Sequence, residues 1–328
     1  MNKQLVYVAE TWPYKDADEL AHYYDGLNIA VRYYDQHSPV DRWEQGKDAT
    51  LLVIAREGLT AKQFNKMPNL RGVVKWGRGV DRIDLAEATR RNILVAYTPY
   101  VVRGVAVSAL LLMMALAKNL VPQITAVKKG SWNKNVSQNN ELCGKTLGII
   151  GFGAVGKNLA QMAIGLGMTV IVFTVPPQND QDLGYDFVSL DDLLERSDFI
   201  SLHASALQGD LPILNAENIS RIKDGGFVIN TARGSLIDEE ALIEALRSGK
   251  LGGAGLDVTA TEPISPDSPL LTMENVIVTP HALGQTKESM NQVKHGIKKT
   301  LLDMLSSIIP EYVANNEVLA MWKPRSLE

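Results

Sequence analysis

The stretch Lys145–Thr174, KTLGIIGFGAVGKNLAQMAIGLGMTVIVFT, decides the fold of this chain. Gly151, Gly153 and Gly156 stand in G-x-G-x-x-G spacing, which alone is weak evidence, because Gly-rich turns occur in any α/β protein. The surroundings make it specific. An apolar run precedes the first glycine, and a helical segment with Val155, Leu159, Met162, Ala163 and Leu166 on one face follows. After GLG a second apolar strand begins. In this strand–turn–helix–strand setting Gly151 permits the tight turn, and Gly153 lets the backbone approach a pyrophosphate. Gly156 lets helix pack on strand, and the helix N-terminus attracts the anion. The segment reads as a dinucleotide-binding loop.

One expected piece is absent. The second strand should end in Asp or Glu about 20 residues on, to hold a ribose 2′-hydroxyl. It ends VFTVPPQNDQD, with Thr174 in the acid's place. That segment has no Arg or Lys for a 2′-phosphate, and Asp180 and Asp182 would repel one. The choice between NAD and NADP stays open, with these two acids inclining it to NAD.

Working outward, strands are expected at DFVSL, FISLHA, GFVINT, AGLDV and VIVTP, separated by helices at LDDLLERS, NAENISRIK and DEEALIEALRSG. Strands alternating with helices imply a doubly wound, mostly parallel sheet. Upstream, QLVYVAE, ATLLVIA, LRGVVKWG and ILVAYTP are short apolar runs with helical segments between them, a second α/β unit. The apolar segment Gly104–Ala117 is too short for a membrane span and reads as part of a buried helix, Val102–Lys118. The segment ESMNQVKHGIKKTLLDMLSSIIP reads as one long amphipathic helix near the C-terminus.

A length of 328 residues suits two domains, and 45% hydrophobic content is ample for their cores. A net charge of -4 offers no general attraction to nucleic acid or to an anionic membrane, so none is expected as a partner. One cysteine, Cys143, allows no intrachain disulfide, and the N-terminus lacks the pattern of a signal peptide; the expected location is the cytoplasm.

Three strand ends in the second unit carry residues suited to chemistry: Arg233 after GFVINTA, Asp257 and Glu262 in GAGLDVTATEP, and His281 in VIVTPHALG. Ligands of such sheets bind at the carboxyl ends of the strands. Each residue alone fits a surface charge or a turn. An Arg, a Glu and a His on loops at one edge of a dinucleotide sheet form a hydride-transfer site.

Together GKTLGIIGFGAVG, INTARGSLIDEEALIEAL, GAGLDVTATEP, VIVTPHALG, VVKWGRGVDRIDL and ILVAYTP make the chain resemble the D-isomer-specific 2-hydroxyacid dehydrogenases over nearly its whole length. The resemblance implies two doubly wound α/β domains with parallel sheets. A Rossmann-type dinucleotide-binding domain, residues 102–295, would be inserted in a flavodoxin-like substrate domain, residues 1–101 plus 296–328, with the active site in the cleft between them. It implies that Arg233 binds the substrate carboxylate and carbonyl, that His281 is the general acid/base, and that Glu262 is its acidic partner. The implied cofactor residues are Gly151, Gly153, Ala154, Val155, Gly156, Thr174, His203, Thr231, Ala232, Asp257 and His281. Asp257 would lie near the nicotinamide carboxamide. Substrate would meet Arg56, Gly77, Arg78, Gly79, Val80 and Arg233; Arg56 and Arg78 fit solvated surface charges equally well. No metal is implied. A homodimer is, through the apolar helix Val102–Lys118.

Three residues depart from the family pattern: Thr174, Ser205 in place of a proline, and Val107 in place of a Glu. The expected activity is NAD(P)-dependent hydride transfer between the nicotinamide and a small D-2-hydroxy acid or 2-oxo acid. The alternative is a dinucleotide-sensing protein that resembles the family's co-repressors and acts through protein partners.

Overall fold

The computed structural model describes residues 4–10, 18–25, 27–132, 139–175, 185–205 and 211–322. The expectation for Asp180 and Asp182 therefore falls outside the described residues. The chain forms two units, residues up to Val101 with those from Lys287 onward, and Val102–Thr286.

The first unit begins β1 (Gln4–Val8), α1 (Asp18–Tyr23), β2 (Ile29–Tyr33), α2 (Arg42–Gln45), β3 (Leu51–Ile54), α3 (Ala61–Lys66), β4 (Gly72–Trp76), α4 (Leu85–Arg90) and β5 (Leu94–Thr98). Its strands pair in parallel in the order β2-β1-β3-β4-β5, the flavodoxin-like order. Successive strand residues face opposite sides, so each strand feeds two cores. Val6, Val8, Val53 and Val74 enter one apolar cluster, while Tyr7, Leu52, Ile54, Val73 and Val95 enter the other.

The second unit runs α5 (Val102–Ala117), α6 (Leu120–Lys128), β6 (Thr146–Ile150), α7 (Ala154–Gly165), β7 (Thr169–Phe173), β8 (Asp186–Phe187), α8 (Leu190–Arg196), β9 (Phe199–Leu202), α9 (Ala216–Arg221), β10 (Gly226–Asn230), α10 (Glu239–Arg247), β11 (Leu251–Leu256) and β12 (Val276–Val278). The parallel order β12-β11-β10-β9-β6-β7-β8 reverses direction between β6 and β9, so the glycine loop after β6 lies at the switch point where such sheets bind ligands. Among the described residues no single helix is long and apolar enough to cross a membrane. The apolar α5 packs Ala106, Ala109, Leu112 and Met113 into the same cluster as Leu159, Ala160 and Ala163 of α7.

The chain returns to the first unit through α11 (Lys287–Leu305). The expected boundary at residue 296 is too late. The helix is continuous from Lys287, and Met290 and Val293 already pack in the first unit's core with Ile297, Leu301, Met304 and Leu305. Each such burial contributes roughly 1.5–3 kcal/mol, which ties the whole helix to that unit. The residues that follow cover the open edge of β5: Ala314 N donates to Val95 O at 2.8 Å, and Tyr97 N to Tyr312 O at 3.1 Å. Buried Asn315 completes the seam, accepting from Val95 N at 2.9 Å and donating to Ile93 O at 2.9 Å.

Other differences from the sequence reading have local causes. The edge strand β2 was not expected; its side chains are mostly half-buried, so no apolar run marks it. The short helix α2 was also missed. Asn119 adopts a left-handed φ of 46° and ends α5, so that α6 starts as a separate helix. The strand expected over DFVSL shrinks to Asp186–Phe187, because Ser189 turns outward to cap α8. On α7 the inward face is Gly156, Leu159, Ala160 and Ala163; Leu166 lies past the helix end and is exposed.

Candidate active site

The glycine loop has the shape its sequence implies. Gly151 has a φ of 93°, in the left-handed region that side chains disfavour. A Cβ there would lie 2.4 Å from Ala204 N, and one on Gly156 would lie 2.5 Å from Gly151 O. Both positions therefore need glycine. Gly153 caps α7 and has no side chain to offer the helix's first N–H groups, which lie beside Ala154 and Val155. Across the switch point His203 N donates to Ile150 O at 2.7 Å, and its Nε2 lies 2.9 Å from Ser201 Oγ. Burial pushes the His203 imidazole down to about 4, so it is neutral near pH 7. Thr174, half-buried, follows β7. At the end of β10 the buried Thr231 hydroxyl finds no hydrogen-bond partner among the described residues, an orphan that a ligand's polar group would satisfy. Cradle, uncapped helix and orphaned hydroxyl together fit a dinucleotide.

The chemistry-bearing residues follow three adjacent strands. Arg233 lies beyond β10, Asp257 and Glu262 beyond β11, and His281 beyond β12. Hydrogen bonds continue past the strand ends, with Asp257 N donating to Asn230 O and Thr279 N to Leu256 O, each at 2.9 Å. The Arg233 turn is braced by buried Asn230, whose Nδ2 donates to Arg233 O at 2.7 Å and whose Oδ1 accepts from Ala232 N at 3.0 Å. Arg233 Nη1 donates to Ala232 O at 2.6 Å.

His281 is held in an unusual way. Its φ of 54° is uncommon for a residue with a side chain, and the turn around it must be over-determined to persist. Asp257, 5% exposed, does this: its Oδ1 accepts from Thr279 Oγ1 at 2.7 Å and from Ala282 N at 3.1 Å. The imidazole then sets Nδ1 against Glu262, 3.0 Å from Oε2 and 3.1 Å from Oε1. That pairing turns Nδ1 toward the carboxylate, with Nε2 the ring nitrogen on the opposite side.

The first unit carries the remaining candidates at its own strand ends. Arg56, exposed, follows β3, and its N–H donates to Glu10 Oε1 at 2.5 Å. Glu10 also accepts from Ala55 N and Glu57 N, at 2.8 and 3.1 Å. After β4, Gly77 has a φ of 76°, and its N–H donates to buried Thr98 Oγ1 at 3.1 Å. Arg78 is exposed, whereas Gly79 and Val80 are half-buried. The sequence reading missed the bracing roles of Asn230, Thr98 and Glu10; a polar residue at or just past a strand end was the only signal. Among the described residues no cluster of His, Cys, Asp or Glu is placed to hold a metal ion.

The profile of the D-isomer specific 2-hydroxyacid dehydrogenase NAD-binding domain matches residues 110–282. A glyoxylate reductase of Korarchaeum cryptofilum is 34% identical over 310 residues, covering 88% of this chain and 93% of that protein. The chain is a D-isomer-specific 2-hydroxyacid dehydrogenase family member. A hydroxypyruvate reductase of Thermotoga maritima is 39% identical over 246 residues, 74% of this chain and 80% of that one. Among solved structures, a D-lactate dehydrogenase from Aquifex aeolicus complexed with NAD and lactic acid superposes with a TM-score of 0.85 at 28% identity, covering 95% and 99% of the two chains. As a family member the protein is an NAD-dependent oxidoreductase of small 2-hydroxy and 2-oxo acids.

Proposed function

We propose that the protein reduces short 2-oxo acids of the glyoxylate and hydroxypyruvate type to D-2-hydroxy acids, with NADH preferred over NADPH. The observation that carries the reading is the His281 Nδ1–Glu262 pair at 3.0 Å on loops beside a dinucleotide cradle. When bound, the nicotinamide supplies or accepts the hydride. The protein's residues do the rest. Arg233 offers a planar fork to the substrate's carboxylate and carbonyl oxygens. Protonated His281 gives a proton from Nε2 to the C2 oxygen during reduction and takes it back in oxidation. Glu262 orients the ring through Nδ1.

The substrate class rests on the glyoxylate and hydroxypyruvate reductases among the relatives. The cofactor preference is supported by Thr174 and Val175, which follow β7 and offer no cationic side chain to a 2′-phosphate. A panel of 2-oxo acids assayed with NADH and NADPH in parallel tests both parts. The best kcat/KM should fall on a short, unbranched acid with NADH. A strong preference for NADPH, or turnover confined to bulky acids, would contradict the reading.

The working unit proposed is a homodimer. Val107, Leu111 and Met114 form an exposed apolar stripe on α5, and Leu120, Val121, Ile124 and Val127 another on α6. Such contiguous apolar surface marks an association face. A monomer in sedimentation at micromolar concentration would contradict it. The absence of any disulfide pairing, with Cys143 the lone cysteine, suits the reducing cytoplasm proposed as its location.

A further inference from the structure

The loop that carries Glu262 is anchored from outside the reacting groups. Between β11 and Glu262 the chain runs Asp257–Thr261, with Val258 and Thr259 buried and Ala260 exposed. Thr259 Oγ1 donates to Thr261 O at 2.8 Å, a local turn that does not attach the loop to the body. Attachment comes from the Arg233 turn and α10. A Cβ on Gly234 would lie 2.0 Å from Thr259 O, so the backbone after Arg233 rests directly on this loop, and only glycine allows it. Glu239, the first residue of α10, accepts from the N–H of Ala260, 21 positions further along the chain, at 3.0 Å.

We propose that Glu239 is a positioning residue for the reaction: it fixes the Ala260–Glu262 segment against the Arg233 turn and so sets the carboxylate that orients His281. The inference rests on the reading of Glu262 and His281 given above. It explains why a loop with exposed Ala260 and Thr261 can hold a carboxylate at a defined distance from an imidazole on another strand. It also ties the substrate-binding Arg233 and the Glu262–His281 pair into one frame through Gly234.

A plainer role for Glu239 is favourable charge at the N-terminus of α10, a role Glu240 shares. The two roles separate by chemistry. Glu239→Gln keeps a carbonyl oxygen within reach of Ala260 N but loses the charge. Glu239→Asp keeps the charge but withdraws the acceptor by one methylene. The test measures kcat, KM for a 2-oxo acid and NADH affinity in Glu239→Gln, Glu239→Asp and Glu239→Ala, with thermal unfolding as a check on folding.

Positioning predicts that Gln stays within about threefold of wild-type kcat, while Asp and Ala lose roughly tenfold, because small misplacements near reacting groups are costly. NADH affinity should hold in all three. In a Glu262→Gln background, Glu239→Ala should cost little more, because both act through the same group. Activity retained by Asp and lost by Gln would overturn the proposal in favour of the helix charge. Wild-type kcat in all three, or fully additive losses with Glu262→Gln, would overturn it too. If Glu262→Gln alone leaves kcat untouched, the underlying reading of the pair has failed, and the proposal with it.

Discussion

Replacing Glu262 by Gln keeps the shape of the side chain and removes its charge, so it isolates what the carboxylate does to His281. The structure sets the magnitude. Both carboxylate oxygens face His281 Nδ1, at 3.0 and 3.1 Å, so the ring meets a charged acceptor. A hydrogen bond to a charged group contributes about 1.5–3 kcal/mol against about 1 kcal/mol for a neutral one, so the amide should forfeit about 1.4 kcal/mol, a tenfold loss. The imidazole is 47% exposed, so the assay runs at low salt, where screening least blunts the effect. It measures kcat and KM for a 2-oxo acid beside NADH affinity: kcat should fall about tenfold while NADH affinity holds. Wild-type kcat, or a loss confined to NADH binding, would refute the pairing of Glu262 with His281.

Arg233→Lys should lower kcat/KM by roughly thirtyfold, with KM and kcat both affected, since losing one charge-assisted hydrogen bond costs about 2 kcal/mol; steady-state kinetics on the preferred 2-oxo acid checks it. Gly151→Ala should weaken NADH binding severely and lower the unfolding temperature, because its Cβ would meet Ala204 N at 2.4 Å in a left-handed backbone; titration of the folded variant with NADH measures the loss. His203 is held at about 4, below its unfolded value near 6.5, so the unfolded chain binds the extra proton between those values. Its contribution is complete above about pH 6.5 and is lost as the pH falls toward 4, by an amount on the order of 2–3 kcal/mol. Denaturant unfolding of His203→Asn should show a flatter pH dependence in that window.

Much of this was legible in the sequence, for physical reasons. Buried parallel strands are apolar on both faces, so β1, β3, β4, β5 and most of the second sheet stand out as runs of Val, Ile and Leu. β2 does not, because an edge strand that is half-buried has no such run. The glycines of the phosphate loop were readable because Gly151 and Gly156 occupy positions where a side chain would collide with backbone. Arg233, Glu262 and His281 could be placed at strand ends, but sequence spacing carries no distance. That His281 Nδ1 meets Glu262 depends on the left-handed turn at His281 and on its brace, Asp257. Glu239 and Asn230 were invisible as bracing groups, since their partners are backbone N–H and C=O groups that any sequence supplies. The boundary at Lys287 was missed because helical periodicity marks the face of α11 but does not say which core its first turns enter.

The central claim is that His281 moves the proton in an NADH-dependent reduction giving a D-2-hydroxy acid. The most direct measurement incubates the wild-type protein and His281→Ala with hydroxypyruvate and NADH, follows NADH consumption, and determines the configuration of the glycerate formed. Wild type should yield the D-isomer, and His281→Ala should turn over roughly 10²–10⁴-fold more slowly while still binding NADH. The L-isomer from wild type, or undiminished turnover in the variant, would contradict the account.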